Sequence, residues 1–170
     1  MLTMALGGVV AGCGFRPVHG RRGRGGAALT SVDVAPIADR SGQLLRNALL
    51  DRLRPVDDAP HELVVTLSLV DQDLGISEDD KPSLATLHGR AAWRLLTRMG
   101  DGRQRLDREG QSRAAVTYNI LDNQYATERN RRAGQESIAE QIAADIEARL
   151  IAHFGSGGTG SGGPVAYPGF

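Results

Sequence analysis

From residue 61 to residue 74 apolar and polar side chains alternate almost without a break. Leu63, Val65, Leu67 and Leu69 fall on one side, and Val64, Thr66, Ser68 and Val70 on the other. A period of two marks an extended strand with one buried face. The second side is only moderately polar, so cover on that face is compatible with the pattern. The same period returns over residues 84–99, where Ala91, Trp93, Leu95 and Thr97 oppose Arg90, Ala92, Arg94, Leu96 and Arg98. Asp101-Gly102 then gives a hairpin signal. A third strand runs back from Arg103 through Tyr118, interrupted near Gly110.

Two stretches change to the helical period. Before the strands, Leu45, Ala48, Leu49 and Leu53 recur at i, i+3, i+4 and i+8, with Asp39 or Ser41 placed to cap the start and Pro55 to stop the end. After the strands, Ile138, Ile142, Ile146 and Leu150 repeat every four residues in a helix over residues 124–154. Ala139, Ala143 and Phe154 widen its stripe, and Glu136, Glu140, Gln141, Glu147 and Arg149 line its other side. A polar patch over residues 129–134 predicts more exposed first turns. A short strand over residues 29–37, with Val32 and Val34 on one face and Pro36 ending it, opens the domain. The order β-α-β-β-β-α, with two helices of one apolar stripe each, predicts an α+β fold: a four-stranded, mostly antiparallel sheet with both helices packed on one face.

Composition bounds this picture. With 170 residues the chain holds a single folded domain, and 41% hydrophobic but only 4% aromatic residues mean that aliphatic side chains build its core. The folded part is expected over residues 28–154. Residues 13–27 read as a flexible basic tether, because Gly20, Gly23, Gly25 and Gly26 interrupt Arg21, Arg22 and Arg24. Residues 155–170, rich in Gly and Ser, read as a disordered tail.

A formal net charge of +0 gives no global field to recruit nucleic acid. Lys81 is the only lysine among the basic residues, so arginine carries the rest; arginine suits planar phosphate recognition, although a GC-rich genome produces the same bias. If Arg90, Arg94, Arg98, Arg103, Arg105 and Arg113 share one surface of adjacent strands, they offer several forks for phosphate oxygens. Asp71, Asp73, Glu78, Asp79 and Asp80 gather around a turn with Gly75 and Pro82, without the residue order of a calcium loop, and read as a solvated acidic loop. His19, His61, His88 and His153 show no metal spacing. No phosphate-cradling loop or nucleophile elbow is present, so the pattern predicts no enzyme, no metal and no cofactor beyond any covalent lipid.

The most specific stretch lies at the start. An uncharged, largely apolar run, residues 1–10, leads to Val10-Ala11-Gly12-Cys13-Gly14-Phe15-Arg16-Pro17-Val18-His19-Gly20, which holds the single cysteine. Small residues directly before a lone Cys after an apolar segment resemble a bacterial lipoprotein signal, with residues 1–12 removed and Cys13 taking the lipid. No basic residue precedes Cys13, where secretory signals of roughly 15–30 residues carry a positive start; a start codon assigned too late accounts for this. Nothing reaches the roughly 18 apolar residues of a membrane-spanning helix, so attachment falls to several acyl chains at about 0.8 kcal/mol per buried methylene.

Cys13-Gly14-Phe15-Arg16-Pro17-Val18-His19-Gly20 resembles the start of the mature LptE family in its alphaproteobacterial form, usually Cys-Gly-Phe-x-Pro-Leu-Tyr-Gly, from which Val18 and His19 depart mildly. The α+β element order is similar to that family as well. The resemblance implies an outer-membrane lipoprotein on the periplasmic side, anchored through Cys13. It implies a partner, the LptD-type outer-membrane barrel, which such a protein plugs, and a ligand, lipopolysaccharide, handled on its way to the cell surface. Carried onto this chain, the sheet face away from the helices and the acidic loop would meet the barrel wall, and Lys81, Arg94 and Arg98 would contact lipid A phosphates. Gly14 after the Cys resembles the outer-membrane class of lipoproteins. The rivals are a binding lipoprotein of another envelope assembly machine, and a periplasmic enzyme, which needs a concave site with convergent polar groups. A one-residue slip would move the arginines to the other face.

Overall fold

The computed structural model describes residues 24–76 and 82–156. The signal segment, Cys13, nearly all of the tether, the acidic residues 78–80, Lys81 and the tail beyond residue 156 lie outside them. A helical turn α1 (Arg24–Ala28) and a 3-10 turn (Leu29–Ser31) lead into β1 (Val32–Val34), followed by α2 (Asp39–Leu53), β2 (His61–Ile76), β3 (Pro82–Arg98), β4 (Gln104–Asn119) and α3 (Gln124–Gly155). The predicted order β-α-β-β-β-α is the one observed, with α1 added where the glycines predicted tether up to residue 27. The first strand is shorter than its pattern, because residues 29–31 coil into the 3-10 turn.

The sheet order is β1-β2-β3-β4. β1 runs parallel to β2, Val32 opposite His61, and the other two pairings are antiparallel, Val65 opposite Trp93 and Leu87 opposite Val116. Alternation therefore sends Leu63 and Val65 of β2 and Ala85, Leu87, Ala91, Trp93 and Leu95 of β3 to one side, where all are buried. α2 covers that side with Leu45, Leu49 and Leu53, and α3 with Ile138, Ile142, Ile146 and Leu150, every one of these fully buried. These form one core on one face of the sheet. Arg52 ties the two helices across their exposed flanks, bonding Glu147 at 2.9 Å and Glu140 at 3.0 Å. Desolvation works against its charge, but the two carboxylates outweigh it and hold its pKa above the ordinary arginine value.

Helix ends follow local chemistry with one departure. The Asn123 side chain accepts a hydrogen bond from the Tyr125 N–H at 2.9 Å and caps α3. At α2 neither Asp39 nor Ser41 acts as the predicted cap: Ala38 occupies that position and Asp39 itself sits at φ 64°. The predicted interruption of the third strand also shifts. Gly110 stays in the ladder opposite Trp93, where a Cβ would come within 2.5 Å of the indole. The irregularity is a bulge: Leu95 pairs with Arg108 and Leu96 with Leu106, leaving Asp107 as the extra residue.

Candidate functional site

The sheet face opposite the helices is the candidate surface, because no described element covers it. Thr66, Ser68 and Val70 of β2, His88, Arg90 and Arg94 of β3, and Gln111, Arg113 and Ala115 of β4 are exposed there. The register fixes what alternation alone left open: Arg90, Arg94, Arg98 and Arg113 share this outer face, away from Trp93 and Leu95. Arg103 and Arg105 do not join them. Arg103 lies in the turn and bonds Asp101 at 2.6 Å, and its backbone and side-chain donors hold the Asp101 carboxyl below its ordinary value. Arg105, opposite Thr97, is put on the helix side by the bulge and bonds Asp107 at 2.9 Å.

The four outer arginines differ in their surroundings. Arg98 sits at one end of the sheet with Glu62 at 3.6 Å and Asp33 at 3.8 Å. Arg94 is cross-strand from Val64 on one side and Glu109 on the other. Arg90 and Arg113 stand directly opposite one another, and neither forms an ion pair among the described residues. Like charges in that position repel, so the pair favours an anion beside it. Around it Ser68, Val70, His88, Arg90, Arg113 and Ala115 line a shallow depression of about 620 Å³. Val70, 59% exposed, and Leu106, 50% exposed, add apolar area along the same face. Of the residues proposed from sequence, Arg94 and Arg98 thus lie on this face, and Lys81 is outside the described residues.

A second polar cluster lies on the helix side. The Thr97 hydroxyl contacts Asp107 Oδ2 and lies 2.9 Å from His61 Nδ1, with Asp107 Oδ2 3.5 Å from the same nitrogen. The Phe154 ring of α3 lies tilted against His61, 5.4 Å between ring centres, and against its neighbour His153 at 5.3 Å. Burial alone would raise the Asp107 pKa, but hydrogen bonds from Thr97 and Arg105 outweigh it and hold the carboxyl below its ordinary value. This Thr-His-Asp group is roofed by the last turn of α3 and lines neither the outer depression nor the groove of about 200 Å³ beside Arg52. Its contacts hold the end of α3 to the sheet. At the other end Asp71 accepts from Tyr118 at 3.1 Å and Arg131 at 2.9 Å, again joining α3 to the sheet. Among the described residues no group of three His, Cys, Asp or Glu side chains is placed to hold a metal ion, and no helix is long and apolar enough to cross a membrane.

The outer surface thus combines guanidinium forks with an apolar rim. The family profile described as LptE, lipopolysaccharide-assembly, matches residues 29–150. A candidate lipoprotein from Caulobacter crescentus CB15 is similar at 25% identity and a TM-score of 0.61, over 77% of this chain and 95% of that one. Rare lipoprotein B from Shewanella oneidensis is similar in fold at 15% identity and a TM-score of 0.52, over 74% of this chain and 96% of its own. An uncharacterized lipoprotein B from Nitrosomonas europaea shares the fold at 16% identity and a TM-score of 0.52, over 75% and 84% of the two chains. No curated protein matches the chain.

Proposed function

This chain belongs to the LptE lipopolysaccharide-assembly family, and from that premise we propose that it is an outer-membrane lipoprotein, held on the periplasmic side through Cys13, that plugs an LptD-type barrel and binds lipopolysaccharide during delivery to the surface. The observation that carries this reading is the uncovered sheet face. Among the described residues one face lies under two helices and the other is open, rimmed by Val70 and Leu106 and crossed by arginines, a surface suited to a partner wall and to phosphates. Lys81, Arg94 and Arg98 remain the proposed phosphate contacts, and Arg90 joins them because it borders the depression. No step of chemistry is required of the protein in this role.

The test is a detergent pull-down of the tagged full chain from its native envelope, with partners identified by mass. A large outer-membrane barrel in equal amount supports the reading. Its absence, with lipid still on Cys13, overturns the plug and leaves a lipoprotein of another machine. Within a recovered complex, Arg90→Ala combined with Arg94→Ala is expected to lower lipopolysaccharide retention without releasing the barrel.

A further inference from the structure

The two edges of the sheet are treated very differently. β1 offers three residues, and its neighbourhood is sealed: Arg46 Nε donates to the Val34 carbonyl at 3.2 Å, and the Val56 N–H donates to the Thr30 carbonyl at 2.9 Å. β4 is 16 residues long. Which of its backbone groups face outward follows from the ladder. Arg98 donates its N–H toward Pro60 on the β2 side, so even-numbered residues of β3 bond toward β2 and odd ones toward β4. Their partners past the bulge are Gly110, Ser112, Ala114, Val116 and Tyr118. The N–H and C=O groups of Glu109, Gln111, Arg113, Ala115, Thr117 and Asn119 therefore point away from the sheet. Among the described residues one of these groups has a partner, the Asn119 carbonyl, bonded by Asn130 Nδ2 at 3.1 Å.

Natural edges are normally blunted by charges, prolines or bulges. The first half of β4 has these, in the bulge at Asp107 and in Arg105, Asp107 and Arg108. From Gly110 to Asn119 there is no proline, no bulge and one charge, Arg113. We propose that this half of β4 is a strand-addition site that takes one extended segment of the barrel partner, with an acidic residue opposite Arg113 on the outer face and small or apolar residues beside Ala114 and Val116 on the inner one. The proposal rests on the barrel-partner reading above.

A second copy of the chain fits this edge poorly. α3 lies over β3 and β4, since Gly89 packs against Ile138 and Ile142, and Gly134 lies near Leu87 and Val116. Two copies joined at β4 would bring their α3 helices roughly 10 Å apart on one side, about two strand spacings and the limit of close helix packing. Asn130 reaches the edge, so Ser137, Gln141 and Asp145, further along the same flank, would be pressed together in that dimer. A lone extended segment brings no helix and meets the backbone groups directly.

The experiment uses the full chain and its native envelope. Ala115→Pro and Thr117→Pro each remove an N–H that nothing described in the chain uses, a change that edges tolerate. Ala115→Ser and Thr117→Val alter the side chains and keep the N–H groups. The double proline variant is expected to match the circular dichroism and melting temperature of the Ser and Val double variant, which likewise lacks the Thr117 hydroxyl that meets Thr86 at 3.0 Å, while its barrel recovery falls about tenfold, as the loss of one or two backbone bonds implies; the Ser and Val variants recover the barrel as wild type does. Wild-type recovery by the proline variant overturns strand addition and leaves the plug standing, whereas no barrel with the wild-type chain overturns both. Should the proline variant unfold, amide exchange on the wild-type complex decides. Slowing at 111, 113, 115 and 117 on complex formation supports the site, and equal exchange in free chain and complex overturns it. Amides already slow in the free chain, and quickened by deleting residues 157–170, would make the tail the occupant and overturn the proposal.

Discussion

His153, in the last turn of α3, is buried, and its Nδ1 has no hydrogen-bond partner among the described residues. Burial and then the nearby Arg108 push its pKa below the ordinary 6.5, while Asp107 pulls the other way and His61 adds to the depression. The folded chain thus binds this proton less readily than the unfolded one. Stability from this group is intact above about pH 6.5 and falls as pH drops below it. Asp107 acts in a lower window, because its depressed pKa gives stability that is present above the ordinary 3.8 and lost as pH falls through the folded value. Melting temperatures taken from pH 8 to pH 3 are expected to be flat at first, to decline below about pH 6.5, and to decline again near the acid limit. His153→Phe should flatten the first decline and leave the second; an unchanged first decline would show that His153 is not its source. Gly89 makes a steric prediction. A Cβ there meets Ile138 Cγ2 and lies 3.2 Å from Ile142 Cδ1, both on stiff branched side chains. Gly89→Ala should destabilise the domain by about 1–3 kcal/mol in urea unfolding.

At the scale of elements, α3 carries the largest share of the inner face, and its two sides predict opposite responses. Ile142 is fully buried against β3 near Gly89, so Ile142→Ala should cost about 2–5 kcal/mol. Arg149 pairs with Asp145 one turn away on the exposed side, and Arg149→Ala should stay within about 0.5 kcal/mol. Comparable effects from the two changes in urea unfolding would contradict the assigned packing. The i, i+4 ladder of isoleucines made this helix legible from the chain alone, within a residue of its observed end. The cap of α2 was not legible, because Asp39 and Ser41 both had capping chemistry while the helix starts from Ala38 with no side-chain cap.

Across the whole molecule, β1 begins at the end of the sheet where Val32 meets His61, and α3 finishes beside the same His61. The described part of the domain begins and finishes at one end, and the paired strands β2 and β3 run from it toward the other. β2 has 16 residues, which at the strand rise separates the two ends by roughly 50 Å. An anchor on Cys13 would hold the near end and leave the other distal. Cys13→Ala is expected to shift the protein from the outer-membrane fraction toward the soluble periplasmic fraction; unchanged fractionation would mean that the barrel partner alone retains it.

Periodicity determined the element types, their order and the layering, since burying an apolar stripe leaves few arrangements for two helices and four strands. The Cys13 stretch carried the family resemblance that the match over residues 29–150 bears out. The arrangement of the arginines was decided only in three dimensions. One extra residue at Asp107 changes the facing of the residues before it relative to those after, so Arg105 turns to the helix side while Arg113 stays on the open face opposite Arg90. A bulge is a property of two strands paired together, and neither strand's pattern contains it. The open edge that β4 presents among the described residues is likewise a fact of sheet order, because which strand lies outermost depends on how the strands are laid side by side and not on the pattern within any one of them.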